Sequence, residues 1–88
     1  MARVAVVVRI IPSDSDVDLD KLSEKIREGL PSGIELKEAR KEPLAFGMSV
    51  LQAAFTAPEE EGSTDKLEEF LKSFPEVEDI EVVMVSRL

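Results

Sequence analysis

Two hydrophobic rhythms alternate along the chain. Val4-Ala5-Val6-Val7-Val8-Arg9-Ile10-Ile11 is β-branched and nearly all apolar, as expected of a central strand covered on at least one face. Pro12 ends it, and Ser13-Asp14-Ser15-Asp16 is turn and cap chemistry. From about Asp18 the apolar spacing changes to three and four, and Leu19, Leu22, Ile26 and Leu30 form the stripe of a helix. Val17, beside the cap, can pack on Leu22 as a hydrophobic staple. Gly29, Pro31 and Gly33 stop this helix.

Ile34-Glu35-Leu36-Lys37 alternates apolar with polar and predicts a half-exposed strand to about Arg40. Lys41 to Gly47 reads as a connection, and Met48 to Ala57 as a mostly apolar strand. The polar loop from Pro58 to Thr64 leads to a second helical stripe, Leu67, Phe70, Leu71 and Phe74, closed by Pro75. Val77 to Leu88 is the last strand. The order strand, helix, strand, strand, helix, strand predicts an α+β fold, the ferredoxin-like βαββαβ sandwich, as a single domain over residues 1–88. Its two right-handed halves make a four-stranded antiparallel sheet with both helices on one face. The first strand is then central, the last is its neighbour at an edge, and the other sheet face is open to a partner.

Composition narrows the chemistry. A chain of 88 residues supports one core and buries roughly 60–65% of its unfolded surface. His, Cys, Tyr, Trp and Asn are all missing, which removes most catalytic and metal-binding arrangements. There is no disulfide framework, and no apolar run approaches the ~18–20 residues that span a bilayer. The opening residues lead straight into a strand without a cleavable signal layout, so the expectation is a cytoplasmic protein. The net charge of −8, from 19 acidic and 11 basic residues, repels nucleic acid and anionic membranes alike. It suits a basic protein partner, whose encounter it would speed, and it equally keeps a small domain soluble.

Motif by motif, chemistry recedes. Asp14-x-Asp16-x-Asp18-x-Asp20 suggests calcium, but an EF-hand loop begun at Asp14 needs Gly and Glu where this chain has Leu19 and Lys25. An acidic helix start, favourable to the helix dipole, explains the run better. Glu59-Glu60-Glu61 reads as a solvated loop. No carboxylate pair lies in a segment that reads as an apolar pocket, where a raised pKa would make it useful. Acylphosphatase-like chemistry on this fold relies on an Asn, which is absent, and four Phe cannot assemble an RNA-stacking platform. No catalytic residue, metal site or cofactor is therefore expected.

Two stretches remain. In Glu42-Pro43-Leu44-Ala45-Phe46-Gly47-Met48, Gly47 permits a tight bend, so Phe46 either points outward or caps one end of the core. In Ser86-Arg87-Leu88, the cation is either a functional tip or part of a frayed end neutralising a terminal carboxylate.

Together with the Val-rich opening strand, the Val17-Asp18-Leu19-Asp20-Lys21-Leu22 helix start and the closing Asp79-Ile80-Glu81-Val82, these stretches resemble the archaeal elongation factor 1-beta family over essentially the whole chain. The Pro-Leu-Ala-Phe-Gly turn and the basic penultimate residue are its specific parts. The resemblance implies a guanine-nucleotide exchange factor for the GTPase elongation factor 1-alpha, monomeric when free. In the family the turn Phe enters a pocket on the GTPase, and a basic residue before the last position reaches its magnesium site. Carried over, those are Phe46 and Arg87, with Pro43, Ala45, Gly47 and Leu88 as their partner-binding surroundings. Eukaryotic relatives have Lys in the second role, and Arg87 keeps the charge on a bulkier planar group. Both residues must be available to one partner. Two other classes stay open on this fold: an interaction module that binds by strand addition at a sheet edge, and a small-ligand regulatory domain that dimerises through its sheet.

Overall fold

The computed structural model describes residues 2–44 and 47–88. Strands and helices follow in the order β1 (Arg3–Pro12), α1 (Leu19–Gly29), β2 (Glu35–Pro43), β3 (Ser49–Pro58), α2 (Ser63–Lys72) and β4 (Val77–Arg87). The sheet runs β2-β3-β1-β4, and every neighbouring pair is antiparallel. This is the ferredoxin-like arrangement, with β1 inside and β4 at an edge as the pattern predicts.

Alternation on β1 decides which face is covered. Val6, Val8 and Ile10 are buried, and their cross-strand partners on β3 are Phe55, Ala53 and Leu51. Leu19, Leu22 and Ile26 of α1 and Leu67 and Leu71 of α2 join those side chains in one cluster. Both helices therefore pack on the same face, and each holds its place by the apolar stripe it turns toward the sheet.

Local chemistry sets the helix starts. Asp18 has extended backbone, φ −80° and ψ 102°, and its Oδ1 accepts from the N–H groups of Asp20 and Lys21 at 3.1 Å each. That satisfies two of the four donors a helix leaves orphaned at its start. Asp14 Oδ1 accepts from the Asp16 N–H at 2.7 Å, so the acidic run is turn and cap. Val17, the staple residue, is partly buried against the core. For α2 the N-cap is Gly62 at φ 87°, a left-handed conformation that glycine reaches without strain.

Two boundaries differ from the periodicity. β2 continues past Arg40 to Pro43, because Lys41, Glu42 and Pro43 pair with Leu51, Val50 and Ser49. These residues are polar, so the backbone ladder rather than an apolar alternation carries them. The second helix begins at Ser63, one turn ahead of its first apolar residue. Of its stripe, Phe70 and Phe74 are only partly buried and meet edge to face, 5.1 Å between ring centroids at 82°.

Two measurements follow. Phe55 is 1% exposed at the centre of the cluster, so Phe55→Ala should lower the unfolding free energy by about 3–5 kcal/mol, read from the urea midpoint. Lys25 donates to Glu76, joining α1 to the turn before β4, and this bond holds the Glu76 carboxyl below its ordinary 4.5. A lowered carboxyl stabilises the fold above its unfolded pKa, and the effect is lost as pH falls through the folded value. The stability gap between the native chain and Lys25→Met should be constant near neutrality and close on acidification below 4.5.

Candidate functional site

Arg87 ends β4 in register, opposite Val4 of β1. The next residue stays attached as well, because the Leu88 N–H donates to the Arg3 carbonyl at 3.0 Å. This is a paired strand rather than a frayed end. The Arg87 Nε lies 2.7 Å from Oε1 of Glu59, with the Arg side chain 81% exposed and the Glu side chain 29% exposed. Glu59 is itself fixed by its N–H, which donates to the Ala2 carbonyl at 3.0 Å. All three glutamates read as a solvated loop are exposed, and Glu59 has this partner as well.

Beside Arg87 the edge strand is unusually apolar. β4 pairs Val82 with Val8 and Met84 with Val7, so Val83 is an extra residue, a bulge. A bulge bends a strand and breaks its regular alternation. Val82, Val83, Met84 and Val85 are 37%, 47%, 51% and 51% exposed, an uncharged run on an outer edge. The opposite edge differs: β2 carries Glu35, Lys37, Glu38, Arg40, Lys41 and Glu42, the charged rim that keeps edges from pairing. A cleft of about 260 Å³ opens next to Arg87, floored by Val4, Pro58 and Val85 and rimmed by Glu59, Glu60 and Glu61.

The other expected stretch lies in the β2–β3 hairpin. Pro43 pairs with Ser49, and the Leu44 N–H donates to the Met48 carbonyl at 2.6 Å, closing the hairpin. Gly47 has φ 73°, the left-handed value that its place in a tight bend calls for, and Leu44 is half exposed. Ala45 and Phe46 lie outside the described residues. A second cleft, of about 250 Å³, borders Gly47 and is lined by Asp14, Asp18, Asp20, Lys41 and Ser49 among others.

The topology sets these two stretches apart. β3 starts at Ser49, opposite Pro43, and ends at Pro58, opposite Arg3, next to the Arg87 register. Nine strand steps separate the ends, roughly 30 Å. The molecule is 42 Å along its longest axis, so hairpin and cation occupy opposite ends of the sheet. On the open face between them, Arg9 of β1 reaches Glu81 of β4 at 3.4 Å and Glu42 of β2 at 3.9 Å. Among the described residues there is no group of three or more His, Cys, Asp or Glu placed to hold a metal ion. No helix of the described residues is long and apolar enough to cross a membrane.

The known proteins that this chain resembles share one identity. The family model described as the EF-1 guanine nucleotide exchange domain matches residues 5–88. The chain belongs to that family. It is 48% identical to an elongation factor 1-beta of Hyperthermus butylicus, in an alignment covering 100% of this chain and 97% of the relative. An elongation factor 1-beta of Aeropyrum pernix is 43% identical, covering 100% and 99%, and one of Methanothermobacter thermautotrophicus is 38% identical, also covering 100% and 99%. A member of the EF-1 guanine nucleotide exchange domain family is an exchange factor and not an enzyme. Such a protein works through a partner, and needs no nucleophile or acid–base pair.

A chain shortened to end at Ser86 should keep its fold. It loses the last register pair and one main-chain hydrogen bond at an edge, worth about 0.5–1.5 kcal/mol. Circular dichroism should be unchanged and the urea midpoint only slightly lower.

Proposed function

We propose that this exchange domain acts on elongation factor 1-alpha, a cytoplasmic GTPase of translation, by gripping it at two separated points. Phe46 anchors from the hairpin, with Pro43, Ala45 and Gly47 shaping the turn. Arg87, with Leu88 behind it, enters the region of the GTPase's Mg²⁺ and phosphate loop from the other end of the sheet. What supports the second role is the position of Arg87: a cation four-fifths exposed, on a strand held in register up to that residue.

A GTPase holds GDP through backbone amides around the phosphates and through Mg²⁺. An exchange factor binds the nucleotide-free form more tightly than the loaded one, and linkage then obliges it to weaken nucleotide binding by the same factor. Speeding release ~1000-fold means lowering the barrier by about 4 kcal/mol. Burying one Phe supplies roughly 1.5–3 kcal/mol of docking free energy. The guanidinium replaces part of the charge stabilisation that the metal gave the phosphates. With a supporting surface, two such contacts are sufficient in size. The sheet between them acts as a spacer: the partner must present a pocket for Phe46 and its metal site at a separation of roughly 30 Å.

A second reading draws on the exposed run Val82 to Val85, which suits strand addition by a binding module without exchange activity. Release of a fluorescent GDP analogue from the GTPase separates the two. On the exchange reading, Arg87→Ala slows release far more than it weakens binding, and Phe46→Ala weakens binding about ten- to hundredfold and slows release as well. Unchanged release in both variants would remove these roles, and indifference to loss of Arg87 and Leu88 is what strand addition expects.

A further inference from the structure

The loop that follows β3 reaches the cation at the end of β4, and this contact assigns a role to a residue outside the expected site. We infer that Glu59 is a positioning residue for Arg87: it orients the guanidinium for entry into the partner's anion-rich pocket. The inference rests on Arg87 having the part in exchange proposed above.

Three observations combine. First, both partners are tied to the first residues of the chain: the Glu59 N–H donates to the carbonyl of Ala2, just ahead of β1, while Arg87 pairs with Val4 in β1 and the Leu88 N–H after it donates to Arg3, each hydrogen bond at 3.0 Å. The two side chains thus leave backbones fixed to the same short stretch, Ala2 to Val4. Second, the contact is an ion pair whose near atoms are Nε and Oε1, 2.7 Å apart, and Nε is the nitrogen nearest the backbone end of the guanidinium. The two outer nitrogens are left for another acceptor, and Arg87 makes no other ion pair among the described residues. Third, the exposures are unequal, 81% for Arg87 against 29% for Glu59, so the carboxylate is the set-back support and the cation the part presented.

A long flexible Arg without a support samples many rotamers, and docking must then select one. A carboxylate at the Nε end biases the direction of the stem while leaving the planar fork free for phosphate oxygens, the geometry an Arg recognises best. An exposed ion pair is weak and is screened by salt, so it orients the side chain without locking it away. A latch would need the opposite: a buried pair that occupies the outer nitrogens.

The experiment is a double-mutant cycle on the full chain. Glu59→Gln, Arg87→Ala and the double variant are compared by GDP-analogue release from the GTPase as the exchange factor is titrated. Glu59→Gln should lower the maximal release rate about two- to fivefold, the usual worth of an exposed pair, with the half-saturating concentration nearly unchanged. In the Arg87→Ala background the same substitution should have no effect, and the thermal midpoint should barely move. Faster release by Glu59→Gln would show a latch and overturn the inference. A loss that persists undiminished without Arg87 would also overturn it, because Glu59 would then act on its own. Full activity of Arg87→Ala would overturn the proposed role of Arg87 and this inference with it, an outcome distinct from failure at Glu59 alone.

Discussion

The pairing of β1 with β3 on one side and β4 on the other is the constraint that places everything else. β1 supplies Val6, Val8 and Ile10 to the core, so its alternation cannot slip by a residue without turning three buried side chains to solvent. With that register fixed, the ends of β3 and β4 must both flank the first residues of β1. Arg87 and Glu59 meet because their strands share this neighbour. The hairpin joining β2 to β3 is sent to the far end by the same rule. A site assembled this way is held by backbone ladders and a buried apolar cluster, not by the weak ion pair visible at its surface.

Much of this was legible in the residue pattern. Periodicity of two and of three to four separated strands from helices because each core-facing stripe was continuous: Leu19, Leu22 and Ile26 on one helix, Leu67 and Leu71 on the other. The end of β2 was not legible, since Lys41, Glu42 and Pro43 are kept in the sheet by main-chain pairing that side-chain polarity does not record. Nor was the start of α2, where the cap is a glycine with no side-chain signature. The Glu59–Arg87 contact joins residues far apart in sequence, and Glu59-Glu60-Glu61 has the composition of an ordinary polar loop. One signal did exist: in this topology, an acidic residue just past the end of β3 falls beside a cation at the end of β4.

The exposed run on β4 leaves an edge that must be guarded against unwanted pairing. Four consecutive apolar residues on an outer strand invite unwanted pairing, and β2 shows the usual protection, charge. Two features soften the hazard on β4. The bulge at Val83 disrupts the regular ladder, and Glu78, Asp79 and Glu81 precede the run with Arg87 after it. A net charge of −8 adds repulsion between copies at a distance. Toward a partner with a basic surface, the same charge affects mainly the rate of encounter, since rim charges set association more than affinity.

The separation of anchor and cation in the proposed mechanism answers what exchange demands. An interaction equally strong with the loaded and the nucleotide-free GTPase holds the factor in place but releases nothing, because only differential binding shifts an equilibrium. In the mechanism proposed above, an apolar plug in a pocket remote from the nucleotide makes this first kind of contact. A cation competing for the charge that Mg²⁺ neutralises makes the second, and its worth rises as the metal leaves. In that mechanism, an anchor carried by the β2–β3 hairpin and a cation at the far end of the sheet let the first contact confine the second at high effective concentration beside the metal site. The requirement on the protein is then stiffness between the ends, which a four-stranded sheet backed by two helices supplies more reliably than a flexible chain of the same length.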